Sequence, residues 1–236
     1  MRAVILAGGS GSRLRPLTVT IPKPLVPIGD MPILELLIRQ LKRAGCARIT
    51  LSVGHLASLI RAFCGDGEQW RIPIDYVYEE QALGTVGCLG LLDDIADDRL
   101  LVLNGDTLTD LDFAAPYAAH DPGDAITVCA NRRTVAVDFG VLETDARGYL
   151  STYTEKPTLA YRVSMGVNVV STWAIARYIE RNQRLDAPDL VKRVLADGKR
   201  VRVLDTSAYW LDLGRMKDLE AGVAAFSAEP GRFLPE

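Results

Sequence analysis

The run Leu6–Leu17, LAGGSGSRLRPL, sets Gly8, Gly9 and Gly11 directly after apolar residues, with Arg13 and Arg15 close behind. Glycines reach positive φ and leave their amides bare, so such a loop can wrap an anionic phosphate. Arg13 can add a forked, charge-assisted contact. The next segment, TIPKPLVPIGDMPILE, holds Lys23 between Pro22 and Pro24. Prolines fix their own φ and bias the preceding residue to extended backbone, so this ammonium rides on a stiff ribbon. Asp106 ends the apolar run of VLNGDTLTD. A carboxylate there is either a turn former, helped by Thr107, Thr109 and Asp110, or a ligand for Mg2+.

Two other phosphate loops fail on spacing. A Rossmann fingerprint needs a glycine where Leu14 stands, and Pro16 soon interrupts any helix; a Walker loop needs a terminal Gly-Lys-Ser/Thr, which is missing. In YEEQALGTVG, Thr85 could cap a helix and Gly84 could let a ligand approach.

Taken together, LAGGSGSRLRPLT and PKPLVPIGDMPIL resemble the signature of the sugar-1-phosphate nucleotidylyltransferases: a glycine-rich GGxGxRL, then a lysine flanked by prolines. The resemblance spans nearly the whole chain. It implies that a phosphate oxygen of a sugar 1-phosphate attacks the α-phosphorus of an NTP in line, with pyrophosphate leaving. That nucleophile is already an anion and needs no general base, in keeping with a chain whose only histidines are His55 and His120. Carried over by residue, Leu6, Ala7, Gly8, Gly9, Ser10 and Gly11 bind the nucleotide. Arg13, Lys23 and Asp106 form the catalytic set, and Asp106 with Asp212, in YWLDLGRMKDL, holds Mg2+.

The same resemblance puts the nucleobase at Glu79, Gly84 and Thr85, where EEQALGTVG is similar to the E-x-P-L-G-T-A-G of mannose-1-phosphate guanylyltransferases. Guanine offers two adjacent donors that one carboxylate can accept, whereas uracil and thymine offer one donor beside acceptors, which suits an amide. Glu79 therefore favours GTP, with a mannose- or manno-heptose-type 1-phosphate. Glu155 and Lys156 are implied for the sugar hydroxyls and the sugar phosphate, with Gly140, Gly166 and Asn168 lining that pocket. SMGVN departs from the N-x-G-hydrophobic-Y of relatives, so the pocket is no straight copy. Two other readings stand beside this one: a UTP- or dTTP-dependent enzyme for glucose 1-phosphate, and a catalytically silent regulatory protein that binds sugar nucleotides. The intact Arg13, Lys23, Lys156, Asp106 and Asp212 speak against the second.

These groups need elements to hold them. Apolar runs at 2–7, 48–53, 72–78 and 99–106 alternate with helical patterns at 33–41, 56–64 and 85–96, and Gly45 stands where a helix cap belongs. Strands that read as nearly all apolar predict a Rossmann-like, mostly parallel α/β sheet flanked by helices. After residue 122 short strands predict a smaller antiparallel insert on the sugar side, followed by helices at 173–182, 188–197 and 215–228 and a strand at 200–205. Ligands of open α/β sheets sit beyond the carboxyl ends of the strands, which is where these motifs fall. The expectation is one nucleotidyltransferase domain over 1–236, with a nucleotide half to about 122 and no room for the β-helix domain of some relatives.

At 236 residues and a formal charge of −3, the chain has no bulk attraction for nucleic acid or an anionic membrane. Small-molecule substrates are expected, and oligomeric state stays open. Cys46, Cys64, Cys88 and Cys129 show no metal spacing and fit a reducing cytoplasm. Cys88 reads as core, and the two histidines as surface or capping residues.

Overall fold

In the computed structural model, which describes residues 1–93 and 95–234, the first apolar run forms β1 (Arg2–Leu6). Turns of 3-10 helix at Ser12–Leu14, Leu17–Val19 and Lys23–Leu25 lead to a short hairpin, β2 (Pro27–Ile28) and β3 (Met31–Pro32). Ile33, Leu34, Leu37, Ile38 and Leu41 share the buried side of α1 (Ile33–Arg43). Gly45, at φ 80°, ends that helix. Its amide donates to the Lys42 carbonyl and the Cys46 amide to Leu41, both at 3.0 Å, the paired bonds of a Schellman cap. Then come β4 (Arg48–Val53), α2 (Ala57–Cys64), β5 (Ile74–Tyr78), β6 (Arg99–Asn104), β7 (Thr107–Thr109) and α3 (Ala114–Ala119). The rest is β8 (Asp124–Ala136), β9 (Val141–Thr144), β10 (Leu150–Thr154), β11 (Thr158–Ser171), α4 (Thr172–Tyr178), α5 (Ala187–Ala196), β12 (Arg200–Thr206), β13 (Trp210–Asp212), α6 (Met216–Ala228) and α7 (Pro230–Phe233).

Seven strands make one sheet in the order β12-β8-β11-β6-β1-β4-β5, and β11 runs against both of its neighbours. The other pairings in that sheet are parallel. Alternate residues feed its two faces: Ala3, Ile5, Leu101 and Leu103 pack on one side, Val4, Leu100 and Val102 on the other. This is the predicted α/β sheet. The second half differs in detail from the expected insert, because β8, β11 and β12 extend the main sheet. The β9–β10 hairpin, the exposed ends of β8 and β11, and the antiparallel pairing of β13 with β7 stand apart from it. Strand order reverses between β1 and β6, and at such a switch the flanking loops diverge and leave a crevice. No helix among the described residues is long and apolar enough to cross a membrane.

The helix expected over 85–96 is not there. A 3-10 helix spans Gly87–Leu91 instead, and residue 94 of that span, like 235 and 236 of the chain end, lies outside the described residues. Three glycines explain the change. Cβ atoms on Gly84, Gly87 and Gly90 would come within 2.6 Å of the Leu185 carbonyl, 2.5 Å of Gln183 and 3.0 Å of Glu180. Within the 3-10 helix the three-residue spacing of Gly87 and Gly90 eclipses, as it would not in an α-helix, so their bare face lies flat on the backbone of 180–185, with Gly84 against it just before the helix.

Of the two roles expected for His120, surface or cap, the structure has the cap: it stands at the C-cap of α3 and is 3% exposed. Its Nε2 lies 2.9 Å from Ser171 Oγ, whose own proton goes to the Asp124 carbonyl at 2.6 Å. Nε2 is therefore the donor, and Nδ1 accepts from Thr127 Oγ1 at 2.8 Å. Burial lowers its pKa, Arg99 adds to that, and Asp124 and Asp98 oppose it. The unfolded chain, with an ordinary histidine near ~6.5, binds the proton first as pH falls. Stability from this group is complete above that value and is lost below it. Urea midpoints should drop between about pH 7.5 and 5.5, and His120→Gln should flatten that slope; equal slopes in both proteins would refute this linkage.

Candidate active site

The crevice is built from backbone first. The Gly105 amide donates to the Leu6 carbonyl at 3.0 Å, and a Cβ on Gly105 would stand 2.9 Å from that oxygen, so β1 and β6 end tight against each other. Beyond β1, the Ala7 amide donates to Ser52 at 2.8 Å and the chain turns through Gly11 at φ 60°. A Cβ on Gly11 would meet Thr18 Cγ2 at 2.9 Å and Lys23 Cβ at 3.1 Å, while Thr18 Oγ1 donates to the Gly11 carbonyl at 2.7 Å. That glycine thus serves packing as much as amide exposure: its bare face seats the Lys23 ribbon.

Asp106 follows Gly105, and Asp212, far along the chain, comes to it by strand pairing. β13 runs antiparallel to β7 with Asp212 opposite Thr107, and the Leu213 amide donates to the Asp106 carbonyl at 3.0 Å. Lys23 Nζ donates to Asp106 Oδ2 and lies 3.8 Å from Asp212 Oδ1. Lys23 and Asp106 are mostly buried, at 13% and 18% exposure. Asp212 Oδ1 is shut from solvent without a hydrogen-bond partner. Arg13 closes the group: a Cβ on Gly214 would lie 3.0 Å from both Arg13 Nη2 and Asp212 Oδ1. Burial pulls the Lys23 pKa below the usual lysine range; Asp212 opposes this, and Arg13 reinforces it.

A cleft of about 470 Å³ runs over these groups, walled by residues 6–13 and by Lys23, Glu79, Gly84, Thr85, Asn104, Asp106, Asp186 and Asp212. The expected nucleotide residues and both acids thus share one cavity. Glu79 stands in it, but both its oxygens are engaged. The Ser52 hydroxyl donates to Oε1 at 2.7 Å and the Leu83 amide to Oε2 at 3.0 Å, leaving each oxygen one further acceptor direction. A Cβ on Gly8 would meet Glu79 Oε1 at 2.5 Å, so the segment after β5 closes directly on the glycine loop. Cys88 is core: burial pushes its thiol up to about 12.

The sugar-side residues are not among this cleft's walls. Gly140, Glu155 and Lys156 sit on the exposed ribbon, where Tyr153 Oη donates to Glu155 Oε2 at 2.9 Å and a Cβ on Gly140 would strike Tyr153 Oη at 2.5 Å. Lys156 holds a positive φ of 45°. Gly166, at φ 71°, lies against the Asn104 amide, which does line the cleft, while Asn168 sits two residues further along β11. Sequence reasoning missed Asn104, Gly214 and Asp186. Asp186 had a signal, an Asp-Ala-Pro helix start, but nothing local aims it at the cleft.

A family model described as Nucleotidyl transferase matches residues 2–228. The chain belongs to that family. Among curated nucleotidyl transferases it is 31% identical to the UTP--glucose-1-phosphate uridylyltransferase of Synechocystis sp., over 92% of this chain and 61% of that protein. It is 30% identical to the mannose-1-phosphate guanyltransferase of Candida albicans, over 100% of this chain and 67% of that protein. The chain therefore spans about three fifths to two thirds of the length of these relatives. HddC from Yersinia pseudotuberculosis superposes with a TM-score of 0.73 at 26% identity, covering 95% of this chain and 99% of that one. The resemblance read from the motifs holds at the level of the family.

Two carboxylates with one orphaned oxygen fit a Mg2+ that draws its other ligands from phosphate oxygens and water. Among the described residues no cluster of three or more His, Cys, Asp or Glu forms a cage that would hold a metal without substrate. Because Gly11 is both left-handed and in contact with Thr18 and Lys23, Gly11→Ala should lower unfolding free energy by about 1–2 kcal/mol and displace Lys23. Urea denaturation checks the first effect, and the pH dependence of Lys23 labelling by an amine reagent checks the second.

Proposed function

We propose that this chain transfers a nucleotidyl group from an NTP, GTP by preference, to a mannose- or manno-heptose-type sugar 1-phosphate, releasing pyrophosphate. The observation that carries the proposal is the meeting of Lys23, Asp106 and Asp212 under the Gly8–Gly11 loop in one cleft. Lys23 and Arg13 together balance the two acids, and a polyphosphate needs both cations and metal ligands at the same place. The loop amides and Arg13 bind the triphosphate, and Lys23 neutralises charge growing on the α- and leaving phosphates as the P–O bond breaks. Asp106 and Asp212 would hold Mg2+, which when bound would supply further charge neutralisation on the phosphates. Glu155 and Lys156 take the sugar and its phosphate, beside Gly140, Gly166 and Asn168. The attacking phosphate oxygen is an anion, so the chain has only to align it, and no base is required. The whole chain works as one nucleotidyltransferase unit on small-molecule substrates, and its four buried free thiols suit a reducing cytoplasm.

For GTP speak the Glu79 carboxylate in the cleft and the mannose-1-phosphate guanyltransferase relatives. A second reading, UTP with glucose 1-phosphate, is favoured by the Synechocystis relative and by the bonds that already occupy Glu79. A matrix of NTPs against sugar 1-phosphates, read by product mass, decides between them; an empty matrix would sink both. Lys23→Ala should cut kcat about 10²–10³-fold with a smaller change in KM for the NTP. Asp106→Ala should lose activity comparably while keeping its circular dichroism spectrum, and normal turnover of that variant at limiting Mg2+ would remove Asp106 from the site.

A further inference from the structure

Asp186 occupies the N-cap position of α5, where an aspartate ordinarily accepts from amides of its own helix. It makes no such bond here. Its Oδ1 accepts instead from the Thr85 amide at 3.0 Å, across to another segment of the chain. In return, Thr85 Oγ1 accepts from the Ala187 amide at 2.7 Å and so serves the first turn of α5. The two residues have exchanged caps. The exchange is reinforced by backbone: the Val86 and Gly87 amides donate to the Leu185 carbonyl at 3.0 and 3.1 Å, and the Leu185 amide donates to Leu83 at 2.9 Å. Gly84 completes the fit at φ 78°, since a Cβ there would sit 2.8 Å from Asp186 Oδ1.

Two consequences follow. The loop 82–86 has no helix or strand of its own before the 3-10 helix that starts at Gly87, so its position is borrowed from α5. Asp186 also lines the cleft itself, together with Glu79, Gly84 and Thr85. Its Oδ2 has only a long, exposed contact of 3.4 Å with Arg184 Nη2.

We propose that Asp186 is a positioning residue for the nucleobase: through Thr85 it holds the 82–87 loop against Glu79, and this latch sets which base the cleft accepts. The inference rests on the nucleotidyl-transfer reading for its substrate and on the exchanged caps for its mechanism. Asp186→Ala should raise KM for the preferred NTP about tenfold, the worth of one charge-assisted hydrogen bond, and compress the preference among NTPs. KM for the sugar 1-phosphate should stay within about twofold. Asp186→Asn keeps an acceptor oxygen and should restore most of the selectivity. Thr85→Val should act in the same direction as Asp186→Ala, and the double variant should be less than additive.

Hydrogen exchange of residues 82–88, with and without GTP or UTP, provides a readout independent of turnover. Asp186→Ala should lose protection there, and Asp186→Asn should keep it. A protein that lost only stability would show a lower melting temperature with unchanged NTP ratios at low temperature, and that result overturns the proposal. Unchanged protection of 82–88 in Asp186→Ala overturns it as well, whatever reaction the wild type performs. Failure of the wild type to form any NDP-sugar, with the loop loosened as expected, would overturn the reaction and leave the latch standing.

Discussion

Lys23 between Asp106 and Asp212 is the contact on which the rest of the structure turns. Buried charges are costly unless paired, so the mostly buried Lys23 and Asp106 depend on each other, with the half-exposed Asp212 beside them. Each arrives by a different route. Lys23 comes on a proline-stiffened ribbon seated against Gly11, Asp106 from the end of β6, and Asp212 by its register opposite Thr107. An error of one residue in the β7–β13 pairing would turn Asp212 to the other side of the ribbon.

What holds these routes together is an apolar cluster apart from the two sheet faces. Leu14, Val26, Ile28, Leu36, Leu108, Leu213, Phe226 and Phe233 gather the glycine–proline segment, α1, β7 and the last helices into one packed unit. Gly222 lets Leu213 into it, since a Cβ there would stand 2.6 Å from Leu213 Cδ2. The charged group is therefore mounted on a packed apolar floor, with one buried Asp212 oxygen left without a hydrogen-bond partner. Fixing charges in advance in this way spares reorganisation when substrate arrives.

The opposite end of the cleft is made differently. Its loop leans on the chain's second half through three evenly spaced glycines and the exchanged caps of Thr85 and Asp186. The two ends of the cleft thus depend on separate supports.

Much of this was legible in one dimension. The glycine loop, the proline-held lysine and the acid after β6 are local patterns, because bare amides, stiff backbone and strand ends are properties of neighbouring residues. The alternation that gave β1, α1, β4 and β6, and the cap at Gly45, are local in the same sense. Sequence also read 85–96 as helix and His120 as a surface or capping residue. The 3-10 turn and the burial of His120 were missed because the deciding partners, residues 180–185 in one case and Thr127 with Ser171 in the other, are contributed by other segments. Asp186 in the cleft and Glu79 with both oxygens engaged belong to the same class. Residue types alone determined what charges and turns this chain could offer. Only the closure of long loops by packing and strand register decided which of them share a cavity, since that free energy depends on surfaces brought together from distant parts of the chain.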